Sequence, residues 1–64
     1  MNVNTQKVEQ LLAERGMSKT DYATRCGVSR ASISVIMRRG TCEPKTVGKL
    51  AAGLGVAVSD LVQQ

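Results

Sequence analysis

The chain has 64 residues, with nine Lys and Arg against five Asp and Glu for a net charge of +4, no histidine, no tryptophan or phenylalanine, and one tyrosine. That length holds one small core, burying about 60% of the surface of the unfolded chain, and the composition builds it from Leu, Ile, Val, Ala and Met, which suits short helices packed closely. Lacking histidine and any C-x-x-C pair, the chain offers no zinc ligand set; no apolar run approaches the ~18 residues of a membrane span, and no nucleophile–base or paired-carboxylate arrangement supports catalysis, so neither an enzyme nor a metal or cofactor site is expected.

In chain order, Asn4 is placed to cap a first helix, Val3 and Val8 have the spacing of a hydrophobic staple, and Val8, Leu11 and Leu12 form its inward stripe before Gly16 closes it. This helix reads as scaffold covering the back of the second and third. Ser18 then caps a second helix, Asp21 completes a capping box, and Met17 with Tyr22 makes a second staple. Tyr22, Ala23 and Cys26 face one side, and Gly27 suits the left-handed conformation that ends a helix.

After a tight joint at Cys26-Gly27-Val28 the same grammar repeats, with Ser29 as cap and Val28 and Ile33 as staple. Ile33, Ile36 and Met37 form a buried stripe at i, i+3, i+4. At about 100° per residue Ala31, Ser34, Val35 and Arg38 point away from it, and Arg30 sits in the exposed first turn. Ala31, Ile33, Val35 and Met37 also alternate with polar residues, so a strand competes over this stretch; the paired caps and the glycine joint favour helix. Two helices sharing a three-residue joint have the geometry of a helix-turn-helix, whose second helix enters the major groove of DNA.

Charge is concentrated there. Between residues 17 and 49, seven Lys and Arg face Asp21 and Glu43, a balance of +5, whereas Lys7 and Arg15 against Glu9, Glu14 and Asp60 leave the remainder at −1. Such a surface suits a polyanion.

Gly40 to Glu43 reads as a loop, and Pro44 fits the first position of a fourth helix, where its missing N–H costs nothing. Val47, Leu50, Ala51 and Leu54 make its core stripe. Gly48 and Gly53 each cost about 1 kcal/mol against alanine in a helix, and close packing of the backbone is expected at Gly48. Gly55 ends this helix, and Ser59 is expected to cap a short last one through Asp60, Leu61 and Val62, too short to stand alone. Leu61 is assigned to the core, and Val58 and Val62 to an exposed surface available for a homodimer. Residues 1–64 contain no repeat, linker or low-complexity segment and read as one domain. With no secretory signal, a soluble cytoplasmic protein is expected, with Cys26 a small buried hydrophobe, Cys42 a loop thiol and no disulfide between them.

The segments Met17-Ser18-Lys19 through Ala23, Gly27-Val28-Ser29, Ile33-Ser34-Val35-Ile36, Pro44-Lys45-Thr46-Val47-Gly48-Lys49-Leu50-Ala51, Leu54-Gly55-Val56 and Asp60-Leu61, taken in order, resemble the phage-repressor-like helix-turn-helix family, also called the XRE family. The resemblance implies an all-α, compact five-helix bundle, lambda-repressor-like, with the motif in helices 2 and 3, that binds operator DNA as a dimer. Many relatives carry an ion pair at the positions of Leu12 and Met37. Both are apolar here, an exchange that is neutral or favourable when both partners change together, and the two side chains are expected to touch. The exit of the third helix at Arg38-Arg39-Gly40 also departs from the pattern, the glycine lying one residue later than is common.

By the same resemblance the base-contacting positions are Arg30, Ala31 and Val35, with Ser29 and Ser34 beside them. Arg30 is suited to guanine, and Ala31 and Val35 to thymine methyls. Phosphates fall to Ser18 and Lys19 at one helix start, to Lys45 and Thr46 at another, and to Arg38 and Arg39 on the flank. The function implied is a sequence-specific double-stranded DNA-binding regulator, a repressor by occupancy, with no ligand-sensing domain. The alternative is a partner-dependent module, an antitoxin or a recombination accessory factor, docking through its apolar tail.

Overall fold

The computed structural model describes residues 1–62; Gln63 and Gln64, included in the expected domain, lie outside the described residues. The helices are α1 (Thr5–Glu14), α2 (Lys19–Cys26), α3 (Arg30–Arg39), α4 (Pro44–Leu54) and α5 (Val58–Leu61), so the stretch open to a strand reading is helical. The helix starts follow from local chemistry. Asn4 Oδ1 accepts from Lys7 N at 3.1 Å. At α2, Ser18 Oγ accepts from Asp21 N at 3.1 Å while the Asp21 carboxylate accepts from Ser18 N at 3.5 Å, a reciprocal capping box. Pro44 occupies the first turn of α4.

The joint between α2 and α3 is Gly27-Val28-Ser29, one residue later than the spacing suggests, because Cys26 remains helical. Gly27 adopts φ +72°, its N–H bonded to the carbonyls of Ala23 and Thr24, a conformation that costs a side-chain-bearing residue about 1–2 kcal/mol. Gly40 ends α3 in the same way at φ +74° and bonds Ile36 O at 2.7 Å.

One cluster of buried side chains draws on every helix: Val8, Leu11 and Leu12 from α1, Tyr22, Ala23 and Cys26 from α2, Ile33 and Ile36 from α3, Val47, Leu50, Ala51 and Leu54 from α4, and Leu61 from α5. Met37 packs half-buried against the cluster that contains Leu12. The contact that orients the motif lies between α2 and α4. Tyr22 is fully buried and donates from its hydroxyl to Leu50 O at 2.8 Å. Beside it, a Cβ built on Gly53 would lie 2.5 Å from Cys26 Sγ and 3.2 Å from a Tyr22 ring carbon. The close approach is therefore at Gly53. The expectation for Gly48 is corrected, since a Cβ there meets nothing within 4 Å.

Two further expectations change at the chain ends. The residue before α5 is Ala57, and Ser59 lies inside the helix; Asp60 holds the turn by accepting from Ala57 N at 3.2 Å. Val62 is not free for a partner. It forms an antiparallel bridge with Val3 and packs half-buried against the core, whereas Val58 is 36% exposed. Val3 donates to Gly40 O at 2.8 Å, Asn4 donates to Leu61 O at 2.7 Å, and Asn2 bridges Thr41. The first four residues thus strap the exit of α3 to the end of α5.

Candidate nucleic-acid interface

The exposed side of α3 is set by its buried side. Ile33 and Ile36 point into the core, so a period of 3.6 residues turns Arg30, Ala31, Ser34, Val35 and Arg38 outward. All five are exposed. Ser29 is exposed as well, but its hydroxyl is committed: it accepts from Ser32 N at 3.1 Å and donates to Ser32 Oγ at 2.8 Å. Ser29 therefore fixes the start of the helix, and the polar groups among the five outward residues are Arg30, Ser34 and Arg38.

Ala31, Val35 and Arg39, each one turn apart, form one wall of an open groove of about 900 Å³, and Glu43, Pro44 and Thr46 at the start of α4 form the other. Ala31 and Val35, expected from sequence to face bases, and Thr46, expected to face phosphate, are thereby brought to one groove, whose lining does not include Ser29, Arg30, Ser34 or Lys45. Arg39, assigned to the flank from sequence, lines this groove. Glu43 precedes α4 and makes no side-chain cap bond, so the first-turn N–H groups of Lys45 and Thr46 keep the donor capacity that favours an anion at a helix N-terminus. Lys45 is exposed and Thr46 half-buried.

At the start of α2, Ser18 Oγ uses its acceptor capacity on the cap, and its hydroxyl hydrogen remains free to donate. Lys19 approaches Glu9 at 3.9 Å, the one ion pair among the described residues. Both side chains are more than half exposed, and a surface pair of this kind holds a lysine with little energy. Arg38 and Arg39 stand in the last turn of α3, where cations are favoured by the helix dipole.

The titratable groups with displaced pKa values lie mostly away from this face. Burial pushes the Tyr22 phenol far above its usual range and raises the Cys26 thiol. Burial also raises Cys42, in the loop after α3. Among the described residues no group of three or more Cys, Asp or Glu could hold a metal ion, and no helix is long and apolar enough to cross a membrane.

Three short capped helices, a glycine joint of three residues and an outward-turned basic α3 make a helix-turn-helix, and a helix-turn-helix family model matches residues 8–61. The chain belongs to the XRE-type helix-turn-helix family. As a member it is a DNA-binding regulator and not an enzyme. Comparison with curated proteins gives no match. Among solved structures, the restriction-modification controller protein C.Esp1396I superposes with a TM-score of 0.74 at 26% identity, covering 83% of this chain and 70% of its own. A hypothetical transcription factor, NHTF from Neisseria, superposes at 0.75 and 23% identity, covering 94% and 78%; at that identity the likeness is one of fold.

Of the groove's lining residues, sequence reasoning named Ala31, Val35, Arg39 and Thr46 as site residues and missed the rest, the most distant in the chain being Met1. No local signal could have found it, because residue 1 reaches α3 only through the strap across Gly40–Cys42.

Proposed function

We propose that this protein is a sequence-specific double-stranded DNA-binding transcriptional regulator, acting in the cytoplasm as a single domain and repressing by occupancy, with α3 in the major groove. The observation that carries the reading is the groove in which Ala31 and Val35 of α3 face the α4 start at Thr46, because one approach of DNA then serves base edges and phosphate together. Arg30 donates two bonds to guanine O6 and N7, and Ala31 and Val35 rest on thymine methyls, with Ser34 beside them. Ser18, Lys19, Arg38, Arg39, Lys45 and Thr46 take phosphates. The likeness to a controller protein at 26% identity supports a regulatory role.

Operator binding as a homodimer fits a fold that presents one reading helix per copy, with Val58 as the exposed apolar residue at the C-terminal end. The partner-dependent alternative gains if Val58 and Val62 are exposed, and the pairing of Val62 with Val3 narrows that surface, for it and for the homodimer alike, to Val58.

Selection from randomised duplex DNA at two salt concentrations tests the reading, since salt separates phosphate attraction from base reading. The expected product is a palindrome with half-sites about 10 base pairs apart. On that operator, Arg30→Ala relaxes preference at one base step, whereas Lys45→Ala weakens every sequence and lowers the salt slope by about one. No enriched sequence, or identical profiles for the two variants, would overturn the assignment.

A further inference from the structure

Three large hydrophobic side chains are exposed among the described residues: Met1 at 54%, Val35 at 38% and Val58 at 36%. Two of the three line the same groove, with Ala31 between the reading helix and the strap. Met1 is not a loose end. Its backbone N donates to Cys42 O at 2.9 Å and its carbonyl accepts from Cys42 N at 3.1 Å, while the next two residues continue the pairing along Thr41 and Gly40. The strap therefore fixes the Met1 backbone at the groove beside the outward face of α3, with its apolar side chain in water.

An apolar strip held open on a basic surface calls for a partner that is apolar at its centre and anionic around it. Arg39 and Glu43 both line the strip, and the positive surplus around it comes from Lys45, between the lining residues Pro44 and Thr46, and from Arg30 and Arg38 on the outward side of α3. A thymine-bearing major groove has that pattern: 5-methyl groups on the base edges, phosphates on either side. From this we infer that Met1 is a specificity-determining residue, extending the apolar strip of Ala31 and Val35 to read one more thymine methyl at the edge of the half-site. The inference rests on the operator-binding reading proposed for α3. It assigns to the strap a second role besides bracing the fold, because the backbone pairing sets the point from which the Met1 side chain reaches the DNA.

The test removes single methyl groups from the ligand. On the selected operator, each thymine is replaced in turn by uracil, and each cytosine by 5-methylcytosine, and dissociation constants are measured for the parent protein and for Val35→Ala, Met1→Ala and Met1→Leu, prepared by chemical synthesis of the chain. Loss of a buried methyl at about 0.8 kcal/mol predicts about fourfold weaker binding at each contacted thymine. At one thymine this sensitivity is expected to vanish in Met1→Ala, to persist in Met1→Leu and to persist in Val35→Ala, while the Arg30-dependent guanine preference stays intact in all three. Unchanged thermal unfolding of Met1→Ala shows that the strap still pairs. If an operator is found and every methyl effect survives Met1→Ala, the inference falls and the operator reading stands. If no sequence is enriched, both fall together.

Discussion

Replacing Gly53 by alanine sets two opposing effects against each other at one atom. In the middle of α4 the change contributes about 1 kcal/mol of helix propensity. The new Cβ, however, lies 2.5 Å from Cys26 Sγ, 3.2 Å from a Tyr22 ring carbon and 3.5 Å from Cys26 N. Cys26 is buried on a short side chain with one torsion to turn, and Tyr22 is fixed by its bond to Leu50 O. Overpacking of this kind costs about 1–3 kcal/mol, so Gly53→Ala is expected to destabilise by about 1 kcal/mol net. Gly48→Ala, with nothing within 4 Å, is expected to stabilise by about 1 kcal/mol. In a domain of this size each kcal/mol moves Tm by about 4–8 °C, so the two variants separate by about 8–16 °C in thermal melts followed by circular dichroism. The clash is isolated in a Cys26→Ala background, which removes the sulfur. There Gly53→Ala should cost at least about 1 kcal/mol less than in the parent, a coupling of the size expected for touching residues. Equal effects in both backgrounds, or a Gly53→Ala variant as stable as Gly48→Ala, would refute the reasoning.

Ser18→Ala removes the acceptor for Asp21 N and should cost about 1 kcal/mol in urea unfolding, with Ser18→Gly losing only a few tenths. Leu61→Ala, in a fully buried position, should cost about 2–5 kcal/mol, enough to unfold much of a domain this small at physiological temperature, whereas Val58→Ala at the surface should leave Tm within a few degrees. Stability should also depend on alkaline pH. Tyr22 and Cys26 are held protonated by burial, so their folded pKa values lie above the ordinary 10.0 and 9.0; the stabilisation is fully present below about pH 8 and declines as pH rises past those ordinary values, where only the unfolded chain loses its protons. Tyr22→Phe should shallow the fall of Tm between about pH 9 and 11, and an unchanged slope would exclude the phenol as its source.

Much of this fold was legible in the sequence because its signals are local. Asn4, Ser18 and Ser29 accept from backbone N–H groups three residues on, Pro44 and Gly27 act through their own torsions, and the stripes of α1 to α4 depend on a period of 3.6. Each needs only neighbours within a turn or two, so residue order alone determined four helices, their caps and the outward side of α3. The start of α5 was misplaced because a four-residue helix has too few positions to define a period, and its turn is held by Asp60 instead of a serine cap.

What tertiary structure decided was which glycine touches a neighbour, which apolar residues stay in water and which distant segments share the interface. Gly48 and Gly53 are equivalent to any local rule, and only the approach of α2 separates them. Val62 and Val58 differ because Val3 reaches one of them, and Met1 enters the groove of α3 because the chain crosses Gly40 and Cys42 on its way to α1. These are contacts between residues far apart in the chain, and their energy depends on shape in three dimensions, which periodicity along the chain does not carry.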